Sequence, residues 1–249
     1  MGFKAYPLGV EKVMKKLCYS AGLAGLISLL VFSQAVAEEK SPSVKWEKDI
    51  QKFEAADKTN PPPEGAVLFI GSSTIRMWKT LKEDFPNHKV INRGFGGSQI
   101  ADSVYYADRI VIPYKPKMIL LYAGGNDINA GKAPEVVFED FKAFVVKVRA
   151  KLPAVRIAFM SSGPSLARWA QAEKLRKLNQ LIKDYVGNDT SMDFIEAFDV
   201  FLGPDGKPRS ELYVSDKLHN SAEGYKIRAE LVRPYLEKFN KKAAAQPVD

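Results

Sequence analysis

The chain has 249 residues, 46% hydrophobic and 27% charged, with a formal net charge of +8. That is the balance of a globular protein with one sizeable core. Its lysines and arginines are scattered among acids, which speaks against a nucleic-acid partner, and a single cysteine rules out a disulfide framework and a cysteine-ligated zinc.

Residues 1–37 are expected to be a secretory signal peptide. Met14-Lys15-Lys16 is a basic start, Leu17 to Phe32 an apolar run, and Ala35-Val36-Ala37 an A-x-A cleavage site followed by Glu38-Glu39. The run is short for a spanning helix of about 20 apolar residues. Cleavage is therefore expected over retention as an anchor, leaving a secreted or periplasmic protein with no stable membrane insertion. Residues 1–13 do not belong to such a signal, so Met14 is the expected start. Cys18 precedes the apolar core rather than the cleavage point, which argues against lipid attachment.

Residues 38–64 are expected to hold an N-terminal helix and a Pro-rich linker. Trp46, Ile50 and Phe53 share one face of a helix over Val44–Lys58, and Thr59-Asn60-Pro61-Pro62-Pro63 stops it. Residues 65–240 form the expected domain. It contains five continuous apolar runs, Ala66–Ile70, Val90–Asn92, Met118–Ala123, Ile157–Met160 and Phe194–Ala197, the pattern of strands covered on both faces. Helical patterns lie between them, at Thr74–Phe85, Ile100–Ile110, Pro134–Lys151 and Leu166–Val186. A last helix spans Ala222–Phe239 with a kink expected at Pro234, and residues 241–249 read as a flexible tail. Alternating strands and helices predict an α/β fold, a parallel five-stranded sheet with helices on both faces.

Ligands of such sheets bind beyond the carboxyl ends of the strands. Gly71-Ser72-Ser73, Gly94-Phe95-Gly96-Gly97-Ser98 and Gly124-Gly125-Asn126-Asp127 follow the first three strands and should meet there. Ser215 to Asn220, ahead of the last helix, can reach the same edge. A serine needs a base to become a nucleophile. His88 precedes the second strand, at the wrong end of the sheet, which leaves His219 as the base. Asp216, three residues earlier, can fold back onto its imidazole. For an oxyanion, the candidate donors are the backbone N–H at the strand-to-helix turn, the Gly97 N–H and the Asn126 amide.

These four segments resemble the SGNH, or GDSL-type, hydrolase superfamily, and the Gly-Ser-Ser-Thr-Ile-Arg version looks like its platelet-activating-factor acetylhydrolase-like branch. The resemblance implies a flavodoxin-like three-layer α/β/α sandwich and hydrolysis of esters or thioesters. The family's Gly-Asp-Ser block aligns with Gly71-Ser72-Ser73, serine replacing aspartate, so the nucleophile carries over to Ser73. Ser72 and Asp127 are left with turn or cap roles. The oxyanion hole carries over to Ser73, Gly97 (preferred to Gly96 within its pair) and Asn126, and the Asp-x-x-His block to Asp216 and His219. A short acyl group, acetyl on a carbohydrate, is the expected substrate. The partner is thus an acyl-ester small molecule or a polysaccharide. A lysophospholipase or thioesterase is the variant within the class, and a non-catalytic binding module the competitor outside it. Arg168 and Trp169, after the fourth strand, are candidate substrate contacts. No metal and no cofactor are expected. Two isolated histidines make no zinc centre, and no Gly-x-Gly-x-x-Gly follows the first strand.

Overall fold

Strands β1 (Val67–Gly71), β2 (Val90–Gly94), β3 (Met118–Tyr122), β4 (Arg156–Met160) and β5 (Met192–Ile195) form one parallel sheet in the order β2-β1-β3-β4-β5. The computed structural model describes residues 41–244. The signal expected over residues 1–37, with Met14 and Cys18, lies outside the described residues, as do residues 245–249 of the expected tail.

Successive strand residues point to opposite faces, and here both faces are covered. Leu68, Ile70, Ile119, Leu121, Ile157 and Phe159 enter one core. Helices α1 (Glu47–Thr59), α4 (Ile100–Ile110), α6 (Pro134–Arg149) and α7 (Ala172–Gly187) close it. Val67, Phe69, Met118, Leu120, Ala158 and Met160 enter the other, with Ile75, Trp78, Phe85 and the Tyr225–Leu236 stripe of α8 (Ala222–Ala244). This double burial is why the strands read as unbroken apolar runs. The three-layer α/β/α sandwich expected from the sequence is the observed fold.

The helix expected over Thr74–Phe85 is instead two short ones, α2 (Ser73–Arg76) and α3 (Leu81–Asp84). The break has a packing cause. Trp78 turns inward to full burial against Phe69, Phe85 and Tyr225. Its Nε1–H donates to Asp84 (2.7 Å), which also accepts the Thr80 hydroxyl (2.7 Å). Burying such a ring contributes on the order of 2–3 kcal/mol, more than one extra helical turn returns. The span Leu166–Val186 also divides, into a 3₁₀ segment, Leu166–Gln171, kinked at the non-helical Arg168, and α7. Helix α8 runs through Pro234 to Ala244, so residues 241–244 of the expected tail are helical.

From β1 the chain moves out to β2, then crosses back over β1 to β3. The order reverses there, and ligands of open α/β sheets bind at that crevice. Register places Gly71 level with Gly94 on one side and with Tyr122 on the other. The loops that follow all three strands therefore start from one edge.

Candidate active site

Gly71 ends β1 at φ +141, where a Cβ would lie 1.9 Å from the Tyr122 carbonyl oxygen. Only glycine fits so close an approach. Its carbonyl accepts the Phe95 N–H (3.0 Å) and the Ser98 hydroxyl (3.2 Å), and the Ser72 N–H donates to the Tyr122 carbonyl (3.2 Å). The ends of β1, β2 and β3 are thus clamped together before the functional side chains begin. Ser72 occupies the N-cap position of α2. Its carbonyl accepts the Ile75 and Arg76 N–H groups, and its own side chain makes no cap bond. Ser73 is the first residue of α2 and half-buried.

Asp216 and His219 arrive on a turn closed by the Lys217 N–H on the Val214 carbonyl (2.8 Å) and the Val214 N–H on the His219 carbonyl (2.9 Å), with Lys217 left-handed at φ +58. One Asp216 oxygen accepts the Leu218 and His219 N–H groups, each at 2.9 Å, and the other lies 2.6 Å from His219 Nδ1. The imidazole bond first, then those two N–H groups, hold the Asp216 carboxyl down at about 2. It is ionised at neutral pH and draws the imidazole proton to Nδ1. Nε2 is left as an acceptor, 2.9 Å from Ser73 Oγ. The arrangement can take a proton from the serine hydroxyl and stabilise the imidazolium that forms.

Asn126 stands on α5 (Gly125–Asn129), reached through Gly124 at φ +112. Its Nδ2 donates to the Ser98 carbonyl (3.0 Å) and its Oδ1 accepts from Arg168 (2.9 Å). One amide hydrogen is left for the cleft. Gly97 sits at φ +77 on the wall of that cleft with Ser73, Asn126 and His219. Among the described residues the Ser73 and Gly97 N–H groups have no hydrogen-bond acceptor.

The structure thus brings together Ser73, Gly97, Asn126, Asp216 and His219. Arg168 joins them, its guanidinium partly desolvated and its pKa lowered by burial. Trp169 does not: it packs against the core under α7 and lines neither cavity beside Ser73. His88 precedes β2 at the opposite edge of the sheet. Asp127, expected as a turn or cap, is fully buried and accepts the Ile100 N–H at the start of α4 (3.2 Å) and Lys132 Nζ (3.4 Å). Burial, only partly offset by Lys132, pushes its carboxyl up to about 6.

Sequence reasoning missed Arg228. It is buried on α8, donating to Asn220 (2.7 Å) and the Tyr122 hydroxyl (3.1 Å), with its guanidinium 4.4 Å from the Tyr122 ring. It ties the His219 loop to the end of β3. Its only signal was an arginine beside the apolar stripe of the last helix. Two cavities flank Ser73. The enclosed one, about 60 Å³, is bounded by Tyr122, Gly163, Tyr213, His219 and Arg228. The open one, about 390 Å³, is bounded by Arg76, Gly96, Gly97, Asn126 and Arg168.

The family described as GDSL-like lipase/acylhydrolase matches residues 71–227. No curated protein sequence matches the chain significantly. Among solved structures, a Streptococcus pneumonia protein provisionally described as a platelet activating factor is 24% identical, covering 78% of this chain and 94% of its own, at a TM-score of 0.69. A GDSL-like lipase from Bacteroides thetaiotaomicron is 20% identical, covering 76% and 98%, at 0.65. A carbohydrate esterase family 3 protein from Talaromyces cellulolyticus is 17% identical, covering 71% and 98%, at 0.57. These likenesses are of fold.

Proposed function

The chain belongs to the GDSL-like lipase/acylhydrolase family and is an ester hydrolase, and we propose that Ser73 is its nucleophile, His219 its base and Asp216 the carboxylate that orients His219. The observation that carries this reading is the unbroken hydrogen-bonded run from Ser73 Oγ through His219 to Asp216, at 2.9 and 2.6 Å, between groups 146 residues apart in the chain.

In the first half-reaction Ser73 Oγ attacks the acyl carbonyl as His219 Nε2 takes its proton. The charge that develops on the carbonyl oxygen is met by the N–H groups of Ser73 and Gly97 and the free Asn126 amide hydrogen. Collapse breaks the ester C–O bond, and the imidazolium returns the proton to the departing alcohol. Water then repeats the sequence on the acyl-enzyme, with His219 again as base, releasing the acid and restoring Ser73.

The acyl group in this reading is short, acetyl above all. The enclosed cavity of about 60 Å³ is well below the roughly 150 Å³ that accommodates benzene, and its wall includes a buried arginine. A fatty chain has no room there, so a lysophospholipase would have to lay its chain along the open cleft of about 390 Å³. The open cleft carries the Asp49, Arg76, Asn126 and Arg168 side chains, which can hydrogen-bond a hydroxyl-rich alcohol, and the likeness to a carbohydrate esterase supports an acetylated sugar. We also propose that the protein is secreted: cleavage after Ala37 would leave residues 41–244 whole, and N-terminal sequencing of the exported protein should begin at Glu38.

The test is hydrolysis of p-nitrophenyl esters from acetate to palmitate by the mature protein and by Ser73→Ala. Preference for acetate, abolished in a folded Ser73→Ala variant, is expected. Retained turnover in that variant sinks the nucleophile, and preference for long chains sinks the acetyl reading.

A further inference from the structure

We propose that residues 41–59, which precede the family-matched span 71–227, form one wall of the active site, with Trp46 as a positioning residue for the Gly97 N–H and Asp49 as a contact for the alcohol. The inference rests on the Ser73 chemistry above and extends it to a segment outside the four motif blocks.

Three clusters fasten the segment to the sheet and to α4. Arg109 is forked between Glu47 and Glu54, every contact 2.7–2.9 Å. Asp57 accepts from Arg93 and from the Tyr114 hydroxyl, each at 2.5 Å, with the Arg93 guanidinium between the Phe53 and Tyr114 rings. Nearest the site, buried Asp102 accepts the Ser43 hydroxyl (2.6 Å), the Trp46 indole N–H (3.0 Å) and the Gln99 N–H (2.8 Å). Fully buried Ile50 completes the attachment.

The third cluster aims Trp46 at the oxyanion loop. Its ring meets Phe95 edge-on at 5.9 Å, and a methyl added to Gly97 would lie 3.1 Å from the indole Cη2. The Gly96-Gly97 pair has little intrinsic preference for one conformation, and the Gly97 N–H has no acceptor among the described residues. The loop is therefore held from outside. Ser98 grips it on the sheet side through the Gly71 carbonyl, and Trp46 covers the other. Asp102 couples the indole to Gln99, next to the Ser98 carbonyl that accepts the Asn126 amide. One brace thus serves two oxyanion donors. Asp49, three residues beyond Trp46 and so on the same face of the helical segment, pairs with Lys52 (3.3 Å) and lines the open cleft together with Arg76 and Arg168. A carboxylate acceptor and two guanidinium donors on the walls of one cleft suit an alcohol with several hydroxyls.

The experiment compares wild type, Trp46→Ala, Trp46→Phe and Asp49→Asn. Trp46→Ala should lower kcat on p-nitrophenyl acetate roughly tenfold to a hundredfold with KM within about twofold, because a displaced donor costs transition-state stabilisation, not binding. Hydrogen exchange of the Phe95 and Ser98 amides, which are bonded to the Gly71 and Phe95 carbonyls, should accelerate in the same variant well below its unfolding temperature, with Trp46→Phe intermediate in both. Unchanged exchange, or kcat within twofold of wild type, overturns the role of Trp46. Should Trp46→Ala not fold, a Trp46→Phe variant matching wild type in both readouts does the same. Asp49→Asn should lower the kcat/KM ratio of an acetylated xylo-oligosaccharide over p-nitrophenyl acetate at least fivefold, and an unchanged ratio overturns its part. If wild type and Ser73→Ala are equally inactive, the catalytic reading has failed, and the exchange result still decides whether Trp46 holds the loop.

Discussion

Replacing Asn126 by alanine separates two jobs that one side chain performs. In the fold, its amide joins the Ser98 carbonyl at 3.0 Å to Arg168 at 2.9 Å. Two hydrogen bonds at about 1 kcal/mol each make the expected destabilisation about 2 kcal/mol. For a chain of this size that is a fall in Tm of roughly 4–8 °C, readable by calorimetry. In the reaction, the remaining amide hydrogen faces the developing oxyanion. Loss of one such donor lowers kcat by about 10²–10³, or roughly 2.7–4 kcal/mol. Because that interaction forms only in the transition state, kcat and kcat/KM should fall together while KM stays near its wild-type value. Steady-state kinetics on p-nitrophenyl acetate at 25 °C, where the variant remains folded, read the second effect without the first. A loss confined to KM, or a kcat within threefold of wild type despite the fall in Tm, would refute the oxyanion role and leave Asn126 as a brace.

Gly71→Ala should be destabilised by more than about 4 kcal/mol, since the added methyl would sit 1.9 Å from a backbone oxygen that cannot move aside; urea unfolding measures this, and a loss under about 1 kcal/mol would contradict the close approach of β1 to β3. Asp127 carries a pH dependence of opposite sign to that of a salt-bridged surface acid. Its folded carboxyl is raised from 3.8 to about 6, so the folded state holds the proton more tightly than the unfolded chain. That contribution is full below pH 3.8 and is lost as pH rises to about 6, by about 3 kcal/mol. Asp127→Asn should remove this slope from a plot of unfolding free energy against pH, and an unaltered slope would assign it to other groups.

Much of this molecule is written locally. Strands covered on both faces must be apolar along their length, so each run was visible as a run, and the helical patterns between them implied a parallel sheet. Gly71, Gly97 and Gly124 stand where the chain turns at positive φ, and such turns leave a mark in any sequence. Parallel strands and short loops then oblige the first three motif blocks to share an edge, and the family resemblance singles out Ser73, Gly97 and Asn126 within them. His219 is legible by elimination and Asp216 by its place three residues earlier, and their approach to Ser73 depends on how α8 packs.

What escaped the sequence depends on contacts between distant residues. The break after Arg76 follows from the burial of Trp78 against Tyr225, about 150 residues away in the chain. Trp169 and Arg168 are neighbours with opposite fates, one in the core and one in the cleft, because the backbone leaves the helical conformation at Arg168 itself. Trp46 carries the helical periodicity of a core residue, and it is partly buried against the core. Its contact with Gly97 arises only because Asp102, on another helix, catches its indole N–H. Periodicity records that a side chain is buried. The partner it is buried against is chosen by the packing of the whole chain, and here that packing places an N-terminal tryptophan against the backbone of the site.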